Sequence, residues 1–177
     1  MKTIFEIYAK YNQAGNGAVY GILDKMSNED RERDRGSYYG SLSGLFRHVL
    51  GGTRFFLSIF EAVLGGNAAA LKALEPAKGF VLPEGPLSGA QWKDLKSTME
   101  SVDAAYVNMT GALTAGDLDL PVKTEWYGGN PPAVPLSFML SNLTMHNTHH
   151  RGQISQILDS LKIDNDYSGI SAAFLPR

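Results

Sequence analysis

With 177 residues and 44% hydrophobic content, the chain can bury one sizeable core and is too short for two domains of ordinary size, so residues 1–177 are expected to form a single domain. The 16 Lys and Arg are scattered and nearly balanced by 18 Asp and Glu, unlike the basic footprint of a nucleic-acid binder, and the absence of cysteine excludes disulfides, thiolate metal sites and a cysteine nucleophile. No apolar run approaches membrane-spanning length and the opening MKTIFEIYAKYNQ is amphipathic and aromatic, unlike a signal peptide, so a soluble cytoplasmic protein is expected.

In chain order, Thr3 followed by Glu6 has the spacing of a capping box and predicts a helix start. That helix continues through Ile4, Tyr8, Tyr11, Ala18, Val19, Ile22 and Met26 to about Ser27. Gly15, Gly17 and Gly21 weaken it intrinsically, and are expected to allow close approach of a neighbouring helix. The run NEDRERDRG, residues 28–36, mixes both signs and reads as a solvated connection with at most one helical turn. From about Tyr38 the helical pattern resumes through Leu42, Leu45, Phe46, Val49, Phe56, Phe60, Val63 and Leu64.

Residues 65–87 read as a short alanine-rich helix followed by a connection punctuated by proline and glycine. Ser88 and Gln91 form a second capping box, and a third long helix follows through Trp92, Leu95, Met99, Val102, Tyr106, Met109 and Leu113. Its methionines and aromatics read as core rather than as a cofactor cradle. Helical periodicity stops at Gly116, and DLDLPVKTEWYGGNPPAVP predicts a strand or small hairpin near residues 119–127, confined to an edge by its prolines. Pro135 suits the first turn of a last long helix reaching about Leu161, and the tail DNDYSGISAAFLPR is expected to pack on the body or on a second subunit. Four long helices joined by connections of different lengths describe an all-α helical bundle with a short β insertion.

Three of the four histidines fall within MHNTHHRGQISQIL, residues 145–158, in the last helix. The apolar stripe of that helix is Leu136, Met139, Leu140, Leu143, Ile154, Ile157, Leu158 and Leu161. At ~100° per residue, His150 lies inside the stripe, His146 lies on its shoulder, and His149 is turned toward water. Two imidazoles four residues apart stand one helical turn from each other and can share one metal ion. The plain alternative is two ordinary histidines with hydrogen-bond partners, but a pair facing a core needs both rings satisfied, and a metal does this at once. His48 lies roughly 110° from the centre of its own stripe, yet Leu45, Gly52, Phe55 and Ile59 wrap apolar surface around to it, which suits a seam between helices. Alone, a histidine there is ordinarily structural.

The segment H-x-x-x-H-R-G-Q, comprising His146, His150, Arg151, Gly152 and Gln153, together with GSLSGLFRHVLGGTRFFL around His48, resembles the DinB family over roughly residues 3–161. The resemblance implies an up-down-down-up four-helix bundle, often a homodimer, with one divalent metal, zinc or nickel, held by three histidines. Carried over by position, these are His48, His146 and His150. It further implies thiol-dependent S-transferase or isomerase chemistry on a small molecule with a low-molecular-weight thiol, and it does not imply DNA binding. Two positions depart from the family: Thr53 stands where relatives often have an aspartate, and Phe56 where a tryptophan is common, which points to different polar support for the pocket.

Three protein ligands would leave a coordination position open, as in catalytic zinc sites, and imidazole ligands do not by themselves choose among zinc, nickel, copper and iron. Since the chain has no thiol, thiol chemistry would need one from outside. Arg151 and Gln153 are candidates either to bind substrate or to tie the helix to its neighbours. Asn147, Thr144 and Glu125 are candidates to accept from the ligands' second ring nitrogens. Three functional readings follow: a metal-dependent transferase or hydrolase, a dimeric metal-binding stress or sensor protein without turnover, and a helical interaction module with structural histidines.

Overall fold

The computed structural model describes residues 1–123 and 133–167. Among these residues the chain is mostly helical, with α1 (Lys2–Leu23), α2 (Asn28–Glu32), α3 (Leu42–Val63), α4 (Ala68–Leu74), α5 (Gly89–Ala112) and α6 (Leu136–Ser160). A two-stranded antiparallel sheet pairs β1 (Pro121–Val122) with β2 (Val134–Pro135) directly before α6, with Pro121 opposite Pro135 and Val122 opposite Val134. The partner of β1 therefore lies beyond the 119–127 window in which the hairpin is expected. The Gly-Gly-Asn turn signal at 128–130 lies outside the described residues.

The capping box at Ser88 and Gln91 forms as expected and starts α5. The one expected at Thr3 and Glu6 does not. The first helix begins at Lys2, so Thr3 already lies inside its first turn, and Glu6 pairs instead with Lys2 at 3.2 Å. α1 ends at Leu23 rather than near Ser27, because Ser27 accepts from the Asp30 amide at 3.1 Å and caps α2. Likewise α3 starts at Leu42 rather than Tyr38, since Ser41 caps it by accepting from Gly44 N at 3.0 Å.

The buried seam of α1 also differs from its apolar pattern. It runs Phe5, Ala9, Asn12, Asn16, Val19, Tyr20 and Leu23, whereas Ile4 and Ala18 are exposed. Two inward asparagines one turn apart conceal the seam from a reading that counts apolar residues. Of the glycines on α1, Gly15 is the close-approach position: a Cβ there would come within 3.1 Å of the Arg151 guanidinium, while Gly17 and Gly21 face open space.

α3 packs most extensively on α6 and α1 on α5, with further α1–α6 and α3–α5 contacts. The buried residues form two apolar clusters, one around Phe56, Phe60, Tyr106, Met109 and Met139, the other around Phe46, Trp92, Leu45, Ile154 and Leu158. α1 and α6 run from the first cluster to the second, and α3 and α5 run the opposite way. Between the clusters, at matching heights on the four long helices, sit buried Asn12, Asn16, Thr53, Asp103, Asn147 and Arg151.

The mixed-charge connection is not wholly solvated. Arg31 is buried, donates to Leu23 O at 3.3 Å, and lies 4.6 Å above the Trp92 ring. Trp92 also stacks on Tyr20 with ring centroids 4.8 Å apart and donates to Asp24 Oδ1 at 2.9 Å. Of the tail, Tyr167 packs on the body, its hydroxyl donating to Arg151 O at 3.0 Å, and residues 168–177 lie outside the described residues. Because Trp92 gathers α1, α2 and α5 at one point, Trp92→Ala is expected to cost about 3–5 kcal/mol, read from the midpoint and slope of urea unfolding.

Candidate metal centre

His146 and His150 stand one turn apart on α6, and Asn147 and Arg151 repeat that spacing one position further round, so four polar side chains leave this helix toward α1 and α3. His150 is buried and His146 half-buried, while His149 is exposed, as the helical wheel predicts. From α3, His48 enters the seam half-buried. The three rings converge: His48 Nε2 lies 3.0 Å from His146 Nε2 and 3.1 Å from His150 Nε2. A ligand nitrogen of each lies within 4.8 Å of the others.

The far ring nitrogens are also engaged. His146 Nδ1 is 3.0 Å from Asn147 Oδ1, and His150 Nδ1 is 2.8 Å from Gln153 Oε1. An amide oxygen can only accept, so both rings carry their hydrogen on Nδ1 and turn an Nε2 lone pair toward His48. One hydrogen on His48 Nε2 cannot make straight bonds to two acceptors. Two nitrogens bound tetrahedrally to zinc at ~2.05 Å would be about 3.3 Å apart, and the two spacings to His48 lie close to that value.

Space for the rings is built into α3. A Cβ on Gly52 would collide with the His146 ring, and Tyr39 stacks on His48 with centroids 3.9 Å apart. Tyr39 is held close in turn because Gly44 has no side chain to meet its carbonyl. Two clefts border His48. One, of about 310 Å³, is lined by His48, Gly51, Gly52, Phe55, Phe56 and His146. The other, of about 300 Å³, is lined by Tyr39, Arg47 and the Leu82–Gly85 segment.

The electrostatics keep the rings neutral. Burial, then the neighbouring His150 and His146, pushes His48 down to about 4. Burial likewise lowers His146 and His150, against the opposing pull of Asn147 and Gln153. Neutral imidazole is the form that binds metal.

The DinB family model matches residues 1–161 of this chain. The chain belongs to the DinB family. Among curated proteins and among solved structures, no match is found.

In this DinB-family chain, the remaining site candidates lie as follows. Arg151 is buried, donates to Asn12 Oδ1 at 2.7 Å and Asn16 Oδ1 at 3.0 Å, and lies over the Tyr11 ring. Gln153 is half-buried and faces His150. Of the candidate partners for the ligands, Asn147 accepts from His146, Thr144 donates to Leu140 O at 3.0 Å, and Glu125 lies outside the described residues. Thr53 donates to Val49 O and accepts from Asn147 Nδ2 at 2.8 Å. Asn12, Asn16, Asp103 and Tyr39 were not singled out from sequence, and Gly52 was named only as a neighbour of His48. For Asn12 and Asn16 a signal existed, because the three-and-four spacing from Phe5 to Leu23 closes only through them.

Stability should report the depressed histidines. His48 binds its proton near pH 4 when folded and near 6.5 when unfolded, so across that window the unfolded chain holds more protons and stability falls as the solution is acidified. In metal-free protein, acidification from pH 6.5 to 4 should therefore lower the melting temperature of the wild type more than that of His48→Asn. Parallel curves for the two would contradict this placement of the ring.

Proposed function

We propose that this protein is a divalent-metal-dependent enzyme acting on a small molecule, with His48, His146 and His150 as the metal ligands and zinc or nickel as the ion. The observation that carries the reading is the convergence of three Nε2 atoms at 3.0 and 3.1 Å, two of them fixed inward by amide oxygens on the opposite ring nitrogen. The fold that presents them is proposed to be the up-down-down-up four-helix bundle of a single domain spanning residues 1–177. The opposed running directions of α1 and α6 against α3 and α5 support it.

When bound, a divalent ion on three imidazoles supplies Lewis acidity that lowers the pKa of a bound water or thiol, supporting hydrolysis or thiol-dependent S-transfer. The chain contributes the rest. Asn147 and Gln153 hold the ligand rings, Gly52 clears room for His146, and Phe55 and Phe56 give the adjoining cleft an apolar wall. As the sequence contains no cysteine, a thiol would enter as a low-molecular-weight cosubstrate. Homodimer formation and a cytoplasmic location belong to the same proposal; no described helix is long and apolar enough to cross a membrane.

Tag-free protein should bind about one equivalent of zinc or nickel with three-ligand affinity. His48→Ala, His146→Ala and His150→Ala should each lower metal content sharply, and His149→Ala should leave it near wild type. Equal losses at all four positions, or wild-type protein that stays metal-free after reconstitution, would defeat the site. Gly52→Ala should keep the helical circular dichroism yet weaken metal binding roughly 10-fold or more by displacing His146. Loaded protein should then be assayed with glutathione, bacillithiol and mycothiol against electrophiles, and with ester and amide substrates. Any turnover must disappear in His150→Ala for the metal to be its agent.

A further inference from the structure

Behind His146 lies a chain of buried amides that ends on a carboxylate. Asp103 of α5 is buried and receives Asn12 Nδ2 at 2.9 Å and Asn16 Nδ2 at 2.9 Å on Oδ1, with Asn16 also 3.2 Å from Oδ2. A carboxylate oxygen accepts and a guanidinium only donates. Asn12 and Asn16, placed between Asp103 and Arg151, must therefore turn their NH2 groups to Asp103 and their oxygens to Arg151.

The same Asn12 oxygen accepts from Asn147 Nδ2 at 2.8 Å, and Asn147 Nδ2 also donates to Thr53 Oγ1 at 2.8 Å. The Thr53 hydroxyl hydrogen is committed to Val49 O, so its oxygen is left to accept. Both oxygens around the Asn147 NH2 group thus require donors, and the Asn147 oxygen is left facing His146 Nδ1 at 3.0 Å. An Asn147 turned the other way would set oxygen against oxygen twice, in a layer without exposed side chains to relieve it.

We propose that the buried amide layer anchored on Asp103 and Arg151 positions the metal centre. Through Asn12 and Asn147 it fixes His146 as the Nδ1–H tautomer, so that Nε2 is presented as a ligand. Asp103 touches neither the histidines nor the clefts, and its influence crosses three helices by the direction of its hydrogen bonds. His150 is set separately by Gln153 and lies outside this relay. The inference rests on the metal-site reading above, but its first test does not need the metal.

In metal-free protein, long-range ¹H–¹⁵N spectra of the imidazoles distinguish the two tautomers of each ring. The wild type should show His146 and His150 with hydrogen on Nδ1. In Asn12→Ala/Thr53→Val, both oxygens that require the Asn147 NH2 group are gone, so His146 should shift toward Nε2–H or a mixture while His150 is unchanged, and zinc affinity at fixed pH should fall roughly 10-fold. A structural loss alone would disturb both rings and the melting temperature together. A folded double variant with the wild-type His146 signature would overturn the relay. If that variant does not fold, Asn147→Leu removes the accepting oxygen itself while keeping Asp103, Asn12 and Arg151, and the same selective change at His146 is required. Wild-type protein with the expected tautomers but no zinc binding would sink the metal site and leave the relay standing.

Discussion

The structure depends on a carboxylate and a guanidinium buried at the same height in an otherwise apolar interior. Asp103 and Arg151 do not touch each other; Asn12 and Asn16 stand between them, each donating to the carboxylate and accepting from the guanidinium. Leaving either charge without partners in a low-dielectric interior would cost several kcal/mol. The partners come from α1, while the charges come from α5 and α6, so three helices must meet in one register. Thr53 and Asn147 bring in α3 through a further bond. Burial still acts on the group at the centre, lifting the Asp103 carboxyl to about 7 despite the opposing pull of Asn16, Arg151 and Asn12.

This layer explains why the histidines lie where they do. His146 and His150 share their turns of α6 with Asn147 and Arg151, so the bonds that hold the layer also hold the two rings in place. His48 approaches from α3 five residues before Thr53, which is tied to Asn147. The site is therefore the half-exposed edge of a buried polar layer, and its rigidity comes from groups set well behind the ligands. The low proton affinity of the three rings has the same origin: they are withdrawn from water beside a core, and His48 would in addition have to charge next to His150 and His146.

Much of this was legible in the sequence. The helical wheel separated His146 and His150 from His149, and the apolar surface flanking His48 suggested the seam it occupies. The long helices followed from apolar spacing, and Ser88 with Gln91 marked the start of α5. The layer itself was not legible, because hydrophobic periodicity treats Asn12, Asn16 and Asp103 as interruptions of a face rather than as members of it. Partners such as Asn12 and Asn147, 135 residues apart, become neighbours only after folding. Helix starts failed for a more local reason. Thr3 had the right chemistry but lay within a turn already formed, whereas Ser27 and Ser41, unremarked among charged and aromatic residues, caps α2 and α3 respectively.

The layer also bears on why an interior would keep six polar side chains where apolar ones would pack as well. Replacing a buried ion pair by hydrophobic residues is often neutral or stabilising, so added stability is a poor explanation. Register is a better one. An apolar seam of leucines and phenylalanines tolerates a slide of one turn, ~5.4 Å, because the residues that meet are much alike. Here such a slide of α6 would carry Asn147 to the height of Arg151 and leave Asp103 facing amides that no guanidinium completes. The same slide would move His146 and His150 away from His48 by more than a metal–ligand bond. A polar layer that admits one register is thus what the proposed three-histidine centre shared between α3 and α6 requires, and the fold places that layer directly behind the histidines.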